Sequence, residues 1–470
     1  MTLMKSVLLG SAATLVVVAG AQAADLPTKK GAPAVQYVKV CNIAGVAGFV
    51  LPGSDTCFKI SGGIEAMAAF GTYDTQLQMT PIGPESVTLS SKGAYNTPAP
   101  GSGDTKYRDH MGFDARGDVQ VEAVSNTANG PLIGVVDIHV DQGYGIGIAG
   151  YGAGYAGGFT TNSFSDTYVN LAYIQWAGIT AGIHTSFYDY IAGGETWWNI
   201  ISPEHSGTGI PLFAYTATFG GGFSATISAE QQENTNQFVY SVPALGYVQN
   251  TELSSDAPDI VGSLDVTQSW GTAHLAAVAH NVHVESPTGL DLNDWGWGVI
   301  GGVGFNLPQL GAGDVVKFQG AYSYGAVGYS GMTTSGWGQG DNGLNINGNG
   351  LIYNFTDAAD VRGTWVRPET WSVAATGEFN LTPQFAFDPE VSYGAITWQN
   401  VPVGATWEGN AWSWVVGAVF SWKPVTNLSF NFEPVYQYSH FDRGGGLYSL
   451  ANVPTDASGF NGRIRIERDF

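Results

Sequence analysis

The chain carries little charge, almost no cysteine and, past its first 23 residues, no long apolar run. Charged residues make up 12% of its 470, about half the usual share. No later stretch supplies the ~20 consecutive apolar residues that a membrane helix needs. Two cysteines are too few for a disulfide-stapled scaffold. Lys and Arg number 17 against 39 Asp and Glu, a formal net charge of −22, which argues against nucleic acid as a partner. There is no G-x-S-x-G, no H-E-x-x-H and no paired catalytic carboxylate signal. One glycine fingerprint, Gly145-Ile146-Gly147-Ile148-Ala149-Gly150, lies in a Gly/Tyr repeat with no helix after it, which rejects dinucleotide binding. His280 and His283 are three apart in a strand pattern and point to opposite faces, so they read as lone histidines rather than a metal pair. No catalytic residue, metal or cofactor is expected.

What is abundant is glycine (66 residues) and aromatic side chains (13%), arranged with a period of two. In the last segment Phe470, Arg468, Ile466, Ile464, Gly462 and Phe460, a mostly apolar set, alternate with Asp469, Glu467, Arg465, Arg463 and Asn461. Tyr107–Ala123 sets Tyr107, Met111, Phe113, Ala115, Val119, Val121 and Ala123 against Arg108, His110, Asp114, Arg116, Asp118, Gln120 and Glu122, far longer than an ordinary soluble strand. Leu132–Asp141 repeats the pattern. Such strands have one apolar and one polar face. In a water-soluble sheet the polar face meets solvent; in a transmembrane barrel the apolar face meets lipid and the polar face a watery lumen. Further strands read at 60–70, 168–176, 213–219, 223–229, 260–266, 272–280, 295–305, 315–324, 371–379, 385–398, 412–422 and 428–441. Gly220-Gly221-Gly222 and Gln268-Ser269-Trp270-Gly271 mark tight turns. Long Gly-rich pieces lie at 80–103, 143–161, 193–209 and 328–350. Short turns at one end and long loops at the other suit an outer-membrane barrel, as do aromatics near strand ends.

The N-terminus reads as a secretory signal: Lys5, an apolar run from Val7 to Ala19, then Ala21-Gln22-Ala23 as cleavage site. Residues 1–23 are expected to be removed. Residues 24–470 then form a single domain, since nothing in the texture marks a split. At roughly 25–30 residues per strand and connection, that length suggests about 16 strands. The expected fold is all-β: a transmembrane antiparallel up-and-down barrel.

Several segments carry a family likeness. They are Ala24-Asp25-Leu26-Pro27, the opening stretch from Tyr37 through Cys41 to Cys57 and Gly63, the Gln268–Gly271 turn and the terminal Phe470. Together they resemble the general porins of alphaproteobacterial outer membranes. A last strand ending in Phe is how many bacterial outer-membrane proteins end, and their assembly machinery reads it. The resemblance implies a homotrimer of 16-stranded barrels, an inward-folded third loop that narrows the pore, and passive diffusion of small hydrophilic solutes and ions. It implies residence in a Gram-negative outer membrane, among lipid and lipopolysaccharide. Cys41 and Cys57 would close a loop of about 17 residues, worth roughly 3 kcal/mol in the chain-entropy model. That would make 24–58 a disulfide-closed segment leading into the first strand, with two free thiols as the alternative.

The charge map adds a polarity. The 200 residues between Arg116 and Lys317 contain no Lys or Arg but 18 acids. Basic residues gather early and late, and closure makes the first and last strands neighbours. Parity turns Lys59, Arg108, Arg116, Arg463 and Arg465 inward as the basic side of an eyelet. Opposite them the constriction loop, following 168–176 and 178–187, offers Asp189, Glu195 and Glu204; Trp197 and Trp198 would anchor it. The alternative for each arginine is a place at the rim, binding lipid headgroups or neighbouring carboxylates. Asp118, Glu122, Asp137 and Asp141 read as lumenal, whereas Asp256, Asp259 and Asp291 read as exterior loop acids. Cation preference follows from the excess of acid. Small outward residues near the seam (Gly62, Ala66, Ala68, Gly462) suit packing between copies, with 143–161 as a latch. A sugar-selective channel, an outer-membrane enzyme or a plugged adhesive barrel are the rivals.

Overall fold

A computed structural model describes residues 39–73, 78–81, 87–90, 111–145, 163–191, 200–203, 209–231, 251–252, 257–285, 291–332, 357–361, 364–400, 402, 410–441 and 456–470. Sixteen antiparallel strands close on themselves. They are β1 (Cys57–Tyr73), β2 (Met111–Thr127), β3 (Gly130–Gly145), β4 (Ser163–Trp176), β5 (Ile179–His184), β6 (Ile210–Gly220), β7 (Phe223–Glu230) and β8 (Asp259–Gln268). The second half comprises β9 (Gly271–Glu285), β10 (Asp291–Asn306), β11 (Val315–Tyr324), β12 (Thr364–Thr382), β13 (Phe385–Gln399), β14 (Ala411–Val425), β15 (Leu428–Phe441) and β16 (Asp456–Asp469). Each pairs with the next, and β16 returns to β1 through Ile464↔Ala68, Arg465↔Met67 and Ile466↔Ala66. Closure leaves no open edge, which lipid would not tolerate.

Parity behaves as the alternation requires. Val136, Ile138 and Val140 face out, while Asp137, His139 and Asp141 are buried within. Two aromatic belts bound the apolar band. Near the short turns lie Trp176, Phe219, Trp270, Phe305, Phe385, Trp422 and Phe470, all exposed. Toward the long loops, Trp297–Tyr322, Trp371–Tyr393 and Trp412–Tyr438 form ring contacts at 5.6, 5.2 and 5.4 Å. Trp297 and Phe305 are eight residues apart on β10, about 26 Å along a strand and roughly 20 Å along the axis at ~40° tilt. That spacing fits an outer-membrane hydrocarbon layer.

The turns carry the expected chemistry. Ala177 and Gly178 have φ of 53° and 87°, the pair of positive values that a type I′ hairpin needs. A Cβ at Gly178 would also stand 2.7 Å from the Thr216 carbonyl. Gln268 pairs with Gly271 around Ser269-Trp270, and Gly220-Gly221-Gly222 is the β6–β7 turn.

Three features differ from the sequence expectation. Gln78–Pro81 and Val87–Ser90 pair as a small separate ribbon within a stretch that reads as plain loop. At the other end, two short strands, Lys39–Ile43 and Val46–Val50, form a hairpin that joins β1 through Phe49↔Phe58 and Val50↔Cys57. The hairpin carries the bridge that was expected: Cys41 and Cys57 are disulfide-bonded, their Cα atoms 5.8 Å apart. Finally, part of the 325–363 connection (L6) is not a polar surface loop. Val327–Ser330 forms a 3₁₀ turn that is fully buried, because it covers an apolar patch of the inner wall made by Val261, Ala276, Val278, Ile300 and Ala321.

Candidate pore lining and constriction

The lumen wall begins with the closure seam. Lys59 stands opposite Glu122 in the β1–β2 register, Nζ to Oε1 2.9 Å. Arg116 stands opposite Asp141 across β2 and β3, Nε to Oδ1 2.8 Å. Arg463 stands opposite Glu433 across β16 and β15 and donates to its carboxylate. Arg465 lies 3.7 Å from Glu65 and 3.3 Å from Glu467, and Glu65 is in turn the cross-strand partner of Arg116. Closure thus gathers four of the five expected bases on three neighbouring strands. Each meets a carboxylate of its own wall, since inward residues opposite or diagonal to one another in adjacent strands are within side-chain reach. Arg108, Glu195 and Glu204 lie outside the described residues, as do Trp197 and Trp198.

Along β3 and β4, His139 contacts Asp137 (3.1 Å) and the Tyr168 hydroxyl (3.0 Å), and Asn170 donates to Asp137 at 2.7 Å. Glu122, Asp137 and Asp141 are therefore lumenal, as parity indicates.

The third long connection, L3 (residues 185–209), leaves β5 and folds inward. Ser186 donates to Glu230 at 2.5 Å, and the Phe187 amide donates to the same carboxylate. His274 Nε2 donates to the Tyr188 carbonyl at 3.0 Å, and the Tyr190 hydroxyl lies 2.8 Å from Thr272. The Ile191 amide donates to Gln319 at 2.6 Å, and the Ile201 amide donates to Ser392 at 2.8 Å. The described parts of L3 therefore lie against the inner wall, 186–191 on β7, β9 and β11 and Ile201 on β13. Asp189 sits half-buried on this segment, beside β9, which lies half-way round the ring from β1. Burial raises the Tyr188 hydroxyl pKa well above its ordinary value, with Asp189 adding to the effect, so Tyr188 stays a neutral donor to the Tyr329 carbonyl, 3.0 Å away.

The sequence reading placed Asp259 on the exterior and treated His280 as solitary; both are corrected. Asp259 opens β8 with its side chain inward and 0% exposed. Its carboxylate meets His280 Nδ1 at 2.9 Å, and His280 Nε2 lies 3.3 Å from Asp357 in L6. Desolvation is the reason: a carboxylate shut away from water persists only with partners. Asp291 does lie exposed at the outer end of β10, near His283. A signal for the inward loops exists in the sequence. In β9 the middle is apolar on both faces, with Leu275 outside and Ala276 and Val278 inside between His274 and His280, so that part of the inner face needs a cover.

Phe470 continues the seam. Its amide donates to the Gly62 carbonyl at 2.9 Å and its carbonyl accepts from the Gly62 amide at 3.2 Å, leaving the ring in the short-turn belt.

The model of the Porin subfamily matches residues 25–458. The chain belongs to that family. Porin Omp2b of Brucella canis is 30% identical over 428 residues, 88% of this chain and 98% of that protein. Porin Omp2b of Brucella suis biovar 1 is 29% identical over 430 residues, again 88% and 98%. Among solved structures, the outer membrane channel DcaP of Acinetobacter baumannii shares the fold, with a TM-score of 0.58 at 13% identity, covering 90% of this chain and 100% of its own. The protein is an outer-membrane β-barrel porin.

Proposed function

We propose that this porin is a water-filled channel for passive diffusion of small hydrophilic solutes and ions, with a preference for cations. The observation that carries the preference is the matching of charge at the seam. Lys59, Arg116, Arg463 and Arg465 meet Glu122, Asp141, Glu433, Glu65 and Glu467, so the basic side is neutralised locally. The stretch from 117 to 316, which builds the wall from β3 to β10, supplies acids with no Lys or Arg. A lumen of negative potential concentrates cations and disfavours anions. The reversal potential in a KCl gradient tests this, and an anion-selective reading would overturn it. The preference should weaken as salt rises, because exposed charges are screened within about 8–10 Å at physiological ionic strength.

A second reading, a sugar-selective channel, is favoured by one feature. Tyr173, His184 and Phe187 form a half-buried strip at the root of L3, with ring contacts at 4.5 and 5.5 Å. Aromatic faces suit the apolar face of a sugar ring. Block of ion current by added oligosaccharide would support it; swelling rates of liposomes that follow solute size alone would exclude it.

Trimeric assembly belongs to the same proposal. Ile60, Ile64, Ile464 and Ile466 project from the outer wall beside the seam. Gly462 offers less of a groove than the sequence suggests, because the ring of Phe70 fills the space above it. Unheated native electrophoresis distinguishes a three-barrel mass from one.

A further inference from the structure

We infer that the constriction has a second element. The L6 segment 326–332 clamps L3 against the wall from the long-loop side, and Asp259 with His280 and Asp357 is the clip that fastens it. The inference rests on the channel reading above.

The stacking order follows from strand direction. β9 runs away from its short turn, so His280, which anchors L6, lies farther toward the long loops than His274, which holds L3. β10 runs toward its turn. There the Tyr190 ring of L3 lies over Gly302, whereas Tyr329 of L6 lies over Gly298, nearer the long loops, where it meets the hydroxyl end of Tyr188. L6 is therefore above L3 on the same wall.

The two loops are joined directly. The Tyr188 ring meets the Tyr329 ring edge-on at 4.9 Å and its hydroxyl donates to the Tyr329 carbonyl at 3.0 Å. Gly331, at φ 76°, lets the chain pass against the Ser202 backbone, where any Cβ would collide. Ser330 Oγ lies 2.6 Å from Thr370 Oγ1 on β12. At the clip, the Tyr329 hydroxyl donates to Asp259 and the Val327 amide donates to Asp357 at 2.6 Å.

The wall bonds of L3 hold it to side chains of β7, β9, β11 and β13, and L6 packs on its long-loop side. L6 blocks movement of L3 toward the long loops. A buried, multiply bonded polar cluster holds one discrete arrangement rather than a continuum, so the pore keeps a single steady aperture. Loss of the clamp should let L3 fluctuate, as weakly held loops do.

Planar-bilayer recording of the full-length porin with Tyr329→Ala tests this. The expected result is a shift to higher single-channel conductance and loss of the quiet open level. A Ser330→Cys/Thr370→Cys cross-link in the same background should restore the quiet level. Should Tyr329→Ala not assemble, Asp357→Asn, in the loop itself, carries the test with the same expected readout. Variants that fold by heat-modifiable electrophoresis and conduct as the wild type overturn the clamp. Absence of conductance in the wild type would instead overturn the channel reading.

Discussion

Arg116 and Asp141 face each other directly across β2 and β3, with Nε 2.8 Å from Oδ1. The pair leaves Arg116 a neutralised base. Arg116→Ala should leave Asp141, 2% exposed, as an uncompensated lumenal charge. The expected outcome is a stronger cation preference, read as a larger reversal potential in a salt gradient. Asp141→Asn should move it the opposite way.

Arg463 and Glu433 form a more enclosed pair, with Glu433 1% exposed. Removing one partner of a buried pair leaves the other charge without compensation, at a cost of about 3 kcal/mol. Arg463→Met should therefore lower the urea midpoint for barrel unfolding. Arg463→Met with Glu433→Leu should recover much of the loss, because it removes both charges together.

Gly302 makes room for L3. A Cβ there would collide with the Tyr190 ring, and wall backbone cannot yield as a surface side chain can. Gly302→Val should displace Tyr190 from Thr272 and His274. The expected reading is an altered single-channel conductance in a barrel that still assembles.

The Cys41–Cys57 bridge ties the N-terminal hairpin to the start of β1. Cys41→Ser/Cys57→Ser should destabilise the porin by about 3 kcal/mol, the closure entropy of a loop of this length. Thermal denaturation of both forms measures it. In the wild type, alkylation without reduction should leave both sulfurs unmodified by mass.

The barrel was legible because its constraint is local. Each strand must be apolar outside and polar inside, and a period of two displays that residue by residue. Val136/Asp137 and Ile464/Arg465 declare their faces without reference to any neighbour. The seam was legible too, since closure follows from connectivity: β16 must meet β1, which brings Arg465 to Glu65, the partner of Arg116, while Lys59 lies beyond the end of the β16–β1 pairing. The sequence alone did not decide which carboxylate each base takes. That depends on register, and a shift of two residues keeps every face while exchanging every partner; only the β2–β3 pairing sets Arg116 against Asp141. It also could not show that Asp259 is buried. Asp259 borders a loop-like stretch, and its partners are 21 residues away at His280 and farther along at Tyr329, with Asp357 on the other nitrogen of His280. Such a cluster has no spacing signature. It exists because two loops fold back into one lumen, and the desolvation of their polar groups is relieved only where the tertiary structure brings donors and acceptors together.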